Sequence, residues 1–107
     1  MSTTEKATVF SPVNKIEYSK NSVVSQQITK NDVGNITLFA FDIDQQLSEH
    51  SAPFDATVHV LDGVVEIKIG DTPHVLKAGD MIIMPANIPH AVFAVSAFKM
   101  LLIMIKG

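Results

Sequence analysis

The stretch Gly79 to His90, GDMIIMPANIPH, decides how the rest of the chain is read. A Gly79-Asp80 turn leads into the short apolar run Met81 to Met84. A loop bracketed by Pro85 and Pro89 follows, and His90 stands just past its end. Glycine takes positive φ without steric cost, and proline fixes φ near −65°. The segment therefore specifies strand, rigid loop and strand with little freedom, and can hold one imidazole at the mouth of a β-barrel. Few residues nearby offer His90 a reactive partner, so this pattern speaks to fold before it speaks to chemistry.

Working outward, the same kind of punctuation recurs. Ser22 to Thr29 is rich in β-branched residues and reads as a strand, and Asn31 to Asn35 is a turn cluster. Ile36 to Ile43 is a second, nearly all-apolar strand. Gln45 to Asp55 is polar and irregular and reads as a loop carrying His50. Thr57 to Leu61 and Val64 to Ile69 flank Asp62-Gly63, a pairing that favours a tight hairpin. In the return strand Val65, Ile67 and Ile69 share one face, and Glu66 and Lys68 the other, a period of two. Gly70 to Pro73 turns again, before short strands at His74 to Leu76, Met81 to Met84, Ala91 to Val95 and Phe98 to Lys106. No segment shows a capped helical period. Short strands with turn signals every 8–12 residues predict an all-β sandwich or barrel. Phe98 to Ile105, FKMLLIMI, is apolar on both faces apart from Lys99, so its outer face is expected to meet another sheet or another subunit.

Length and composition narrow the functional classes. At 107 residues the chain suits a single domain spanning 1–107, with residues 1–15 read as a loose N-terminal arm. An apolar fraction of 47% is high for a small monomer and points to a covered face, hence an expected homodimer. The net charge of −3 supplies no basic stripe for phosphates, which argues against nucleic acid. Without cysteine there is no disulfide, thiolate ligand or thiol nucleophile. The opening MSTTEKATVF lacks the apolar stretch of a signal peptide, and Met100 to Ile105 is far short of the roughly 20 residues of a bilayer span. A cytoplasmic location without membrane association is expected.

Two segments carry a family resemblance: HSAPFDATVHVLDG, His50 to Gly63, and GDMIIMPANIPH, Gly79 to His90. Their order and separation resemble the paired motifs of small single-domain cupins of the RmlC-like superfamily. The resemblance covers roughly residues 36 to 106 and implies a double-stranded β-helix, a jelly-roll-like barrel. In the second motif Gly79, Pro85 and His90 match. Asn87 replaces the usual glycine, and asparagine tolerates positive φ better than most residues. Ala94 stands where an asparagine often follows. In the first motif, counting back from Gly63 puts Ala56 at the usual glutamate and His50 and Ala52 at the paired histidines. Two of the four usual metal ligands are thus alanine. The chain also resembles a functionally unassigned subgroup with the pattern H-x-x-x-x-D-A, here His50 with Asp55-Ala56, and F-x-M-L-L, here Phe98 with Met100-Leu101-Leu102.

The candidate pocket residues are His50, His90 and Asp55. Strict alternation places 56, 58 and 60 inward and Asp55 and His59 outward, so Asp55 reaches the pocket only through a bulge or a late strand start. It suits a role capping the loop backbone equally well. The metal ligands that survive are His50 and His90, and a metal there would be divalent zinc, iron, manganese or nickel. His59 reads as a strand-face or interface residue and His74 as exposed. Met81, Met84, Met100 and Met104 could line a soft apolar pocket, but read first as core fillers. Tyr18, the lone tyrosine, is poorly placed to act as an acid opposite a histidine base. Three functions stay open: a small-molecule-binding barrel of unassigned activity with a degenerate metal site, a metal-dependent oxygenase or isomerase using His50 and His90, and a non-catalytic interaction or regulatory module.

Overall fold

The computed structural model describes residues 4–106. It contains nine strands and one short helical turn. The turn is α1, Pro12–Lys15. The strands are β1 Val23–Asn31, β2 Gly34–Phe41, β3 Gln46–His50, β4 Ala56–Asp62, β5 Val64–Ile69, β6 Thr72–Lys77, β7 Met81–Met84, β8 His90–Ala94 and β9 Phe98–Ile105. They form a five-stranded sheet ordered β1-β2-β9-β4-β7 and a four-stranded sheet ordered β3-β8-β5-β6, with every neighbouring pair antiparallel. From β4 onward the chain alternates between the sheets except at the β5–β6 hairpin, which gives the expected double-stranded β-helix.

The alternation read from the sequence is the alternation observed. Ala56, Val58 and Val60 on β4 are buried, as are Val65 and Ile67 on β5. They meet Val92 and Ala94 of β8, Leu76 of β6 and Met100 of β9 in one core between the sheets. Phe41 and Phe98 are paired in register on β2 and β9, and their rings stack with centroids 4.6 Å apart. Both are fully buried.

The Asp62-Gly63 turn differs from the expected paired hairpin. β4 pairs with β7 and β9, and β5 pairs with β6 and β8, so the turn carries the chain over a corner from one sheet to the other. Gly63 has φ +79°, and a Cβ there would collide with the carbonyl of Ala97 and with Phe98. Ser96 secures the corner from the facing turn: its Oγ accepts from Val64 N at 2.9 Å, and its own N–H donates to Val64 O at 3.1 Å. The crossover needs glycine for the reason a hairpin would, but it serves topology instead of strand pairing.

Other readings change as well. Gln46–His50, read as loop, forms edge strand β3 against β8, because polar side chains suit a strand whose residues are mostly exposed. Among the described residues of the supposed loose arm, Thr4 N donates to Ile28 O at 2.8 Å and Val13 O accepts from Lys99 Nζ at 2.7 Å. Just beyond it, Ile16 is buried with Ile28, Leu38 and Ala40. Leu38 and Ala40 alternate with the inward Phe39 and Phe41, so this second core lies on the outer face of the five-stranded sheet. Part of the apolar face expected to meet another sheet or subunit is thus covered by the chain's own N-terminal segment. The first three residues of the arm lie outside the described residues. Met81 was expected in the core, but on edge strand β7 it is 58% exposed. His74, expected in solvent, is half-buried on β6 opposite Ile67, where strand pairing extends past the predicted limit.

Candidate functional site

His90 opens β8, where the Pro85 to Pro89 loop delivers the chain into the four-stranded sheet. The loop is held at several points. Asn87 takes φ +66°, the left-handed conformation anticipated for it, and its N–H donates to Ala52 O at 2.7 Å. Asp55 Oδ1 accepts from Ala86 N at 2.8 Å. Beyond the loop, Gly70 N donates to Pro89 O at 2.8 Å. At the start of the motif, Asp80 Oδ2 accepts from Lys77 N at 3.0 Å, and this bond holds its carboxyl below the usual carboxylate range. Asp80 is therefore a turn residue, as expected.

His50 closes β3 and is the register partner of His90 on β8. Their rings meet edge to face, with centroids 4.4 Å apart. His50 Nδ1 lies 2.8 Å from Ser48 O. A carbonyl only accepts, so Nδ1 carries the proton and the neutral ring keeps a bare Nε2. His90 is 4% exposed, and its Nδ1 is buried with no partner in hydrogen-bond geometry. Leaving such an atom unsatisfied costs about 1–3 kcal/mol. An unpaired buried nitrogen beside a cavity is a recognisable mark of a site.

The two histidines line a cavity of about 60 Å³. Leu47, Val92 and Leu102 close it with alkyl groups, and Met84, Met100 and Met104 add thioethers. Ala52 and Ala56 complete the wall. No charged side chain lines it. Burial, then the positive potential of His50, lower the His90 pKa from its ordinary 6.5, and the backbone of Ile88 partly opposes both.

That shift fixes a pH dependence. The unfolded chain takes up a proton at position 90 as pH falls through about 6.5, while the folded ring resists protonation until lower pH. Folding stability from this group is therefore complete above pH 6.5 and is lost as pH falls from there through the depressed folded value. Urea midpoints measured across this window should fall with acidity in the native chain, and fall less steeply in His90→Gln.

The sequence-derived candidates divide cleanly. His50 and His90 come together. Asp55 does not join them: it is exposed, and its carboxylate serves the loop backbone. Ala56 starts β4 in strict inward phase, so no bulge turns Asp55 toward the cavity. His59 points outward beside its register partner Met81. Tyr18 donates to Asp62 Oδ2 at 2.5 Å and does not line the cavity, and burial and this bond raise its pKa. Met84, Met100 and Met104, preferred as core fillers over pocket residues, line the cavity; a thioether facing a void and one filling a core look the same in a strand.

A divalent metal of the usual kind does not fit these residues. Among the described residues, no group of three or more histidine, cysteine, aspartate or glutamate side chains could hold a metal ion. The inward positions where such donors would stand are the alkyl wall of Ala52 and Ala56. Also among the described residues, no helix is long and apolar enough to cross a membrane.

Comparison with solved structures extends the account. A conserved protein of unknown function from Streptococcus pyogenes superposes with a TM-score of 0.91 at 35% identity, covering 100% of this chain and 96% of that one. A cupin superfamily protein from Desulfitobacterium hafniense gives 0.91 at 26% identity, covering 99% and 97%. A cupin 2 conserved barrel domain protein from Leptotrichia buccalis gives 0.85 at 37% identity, covering 88% of this chain and 46% of that one. No curated protein matches the sequence. Residues 38–106 match the family described as cupin domain. With two antiparallel sheets, both motifs in register and that match over most of its length, the chain belongs to the cupin domain family.

Proposed function

We propose that the chain is a binding barrel that holds a compact small molecule against the His50–His90 pair. The observation that carries this reading is the buried, unpartnered Nδ1 of His90 on a cavity otherwise lined with apolar side chains. Ligand sites are largely apolar, with a few placed polar groups that fix orientation. A volume of about 60 Å³ leaves room for roughly four to six water-sized groups, since one water needs roughly 10–15 Å³. The ligand is therefore small, polar at one end and apolar at the other. Isobutyramide, tert-butanol and pyrazole are suitable probes. Methyl NMR should show at least one of them shifting Met84, Met100 and Met104 together, and His90→Phe should abolish the shift. No response from any probe would remove this reading.

We also propose that the barrel works as a homodimer through the outer face of its five-stranded sheet. Met81 and Ile83 are each 58% exposed there, beside half-buried Leu101 and Ile103. The edge of β7 is an unpaired strand edge of the kind that is normally covered or paired. Light scattering should give twice the chain mass for the native protein and a monomer for Ile83→Glu. A monomeric native protein would refute this assembly.

A further inference from the structure

The thioethers around the His50–His90 pair carry more than packing. Ala56, which starts β4, has Met84 of β7 as its register partner on one side and Met104 of β9 on the other. Residues opposite one another in a sheet share a face, so Met84, Ala56 and Met104 form a row along the cavity wall. Met100 lies on the same inward face of β9 and also lines the cavity. Three of the chain's five methionines thus border one small space. The same space holds two imidazoles and no carboxylate.

The chemistry of that donor set is soft and neutral. Thioethers select copper(I) among the biological metals, and imidazole accepts it as well. Charge points the same way. The cost of burying an ion grows with the square of its charge, so a monovalent ion meets about a quarter of the penalty of a divalent one in a cavity with no counter-charge. His50 keeps a bare Nε2, and the buried Nδ1 of His90 has no partner in hydrogen-bond geometry.

We propose that this cavity is a binding site for a soft monovalent ion, copper(I), with His50, His90, Met84 and Met104 as donors and Met100 beside them. The site shares its space with the compact-ligand reading but does not rest on it. Alanine stands at two of the four usual divalent-ligand positions, and Met84 and Met104 are the register partners of one of them, Ala56.

The test uses the full-length untagged chain under anaerobic conditions. Copper(I) is titrated against a chromophoric chelator, and silver(I), its redox-inert counterpart, is followed by methionine-methyl NMR. One equivalent is expected to bind and to shift Met84, Met100 and Met104, leaving Met81 on the outer face unmoved. Zinc(II), manganese(II) and nickel(II) should bind at least 100-fold more weakly. The double variant Met84→Leu/Met104→Leu conserves volume and should keep the native unfolding midpoint within a few degrees. It should lose at least tenfold in copper(I) affinity. The proposal is overturned if the native chain binds no copper(I), if silver(I) shifts only Met81, or if the leucine variant binds as tightly as the native chain. Loss of probe binding with copper(I) binding intact would refute the compact-ligand reading alone.

Discussion

Phe98→Ala is expected to destabilise the fold by about 3–5 kcal/mol, the range for emptying a fully buried aromatic position. Phe98 is 0% exposed, begins β9 and stacks on Phe41 of β2 at 4.6 Å. It also sits beneath the Asp62-Gly63 corner, where a Cβ on residue 63 would strike it. One side chain therefore fills the core and supports the crossing from the five-stranded to the four-stranded sheet. Urea unfolding followed by circular dichroism measures the loss directly. A change below about 1 kcal/mol would mean that the two sheets do not close on this residue as described, since even modest core truncations usually exceed it.

The second large effect is expected at Gly63→Ala, at roughly 3 kcal/mol. Part comes from backbone conformation, because φ +79° costs an L-residue about 1–2 kcal/mol. The rest comes from the collision of the new methyl group with Ala97 O and Phe98, in the range of about 1–3 kcal/mol for overpacking. Gly79→Ala separates the two contributions. Gly79 has φ +95° but nothing within 4 Å of an added Cβ, so only the backbone part should appear. Equal losses in the two variants would remove the steric argument for the corner.

These expectations also show what the sequence makes legible. The inward phase of 56, 58 and 60 followed from alternation alone, because side chains in a strand alternate whatever the strand pairs with. The tolerance of Asn87 for positive φ followed from its side chain. Partner choice did not follow. Asp62-Gly63 marks a turn, but whether the flanking strands pair or diverge depends on Ser96, Ala97 and Phe98, which are more than thirty residues away in sequence. The strand character of Gln46–His50 was hidden for a related reason. An exposed edge strand has no apolar pattern to show, and only its pairing with β8 identifies it. At the site, the resemblance to the cupin motifs pointed to His50 and His90. Asp55 was open between pocket and loop, and the Ala86 N–H decides for the loop. The methionines were open between core and pocket, and their alignment as a row rests on the register of β7, β4 and β9.

Buried His90 and exposed His50 meet edge to face as one pair on an apolar cavity. Long-range ¹⁵N NMR of the imidazole rings across pH tests this arrangement without a ligand. His90 should titrate below the ordinary 6.5, with burial as the larger cause, so His50→Gln should move it only part of the way back. A His90 ring that titrates at or above 6.5 in the native chain, and does not respond to His50→Gln, would contradict the pair and the site built on it.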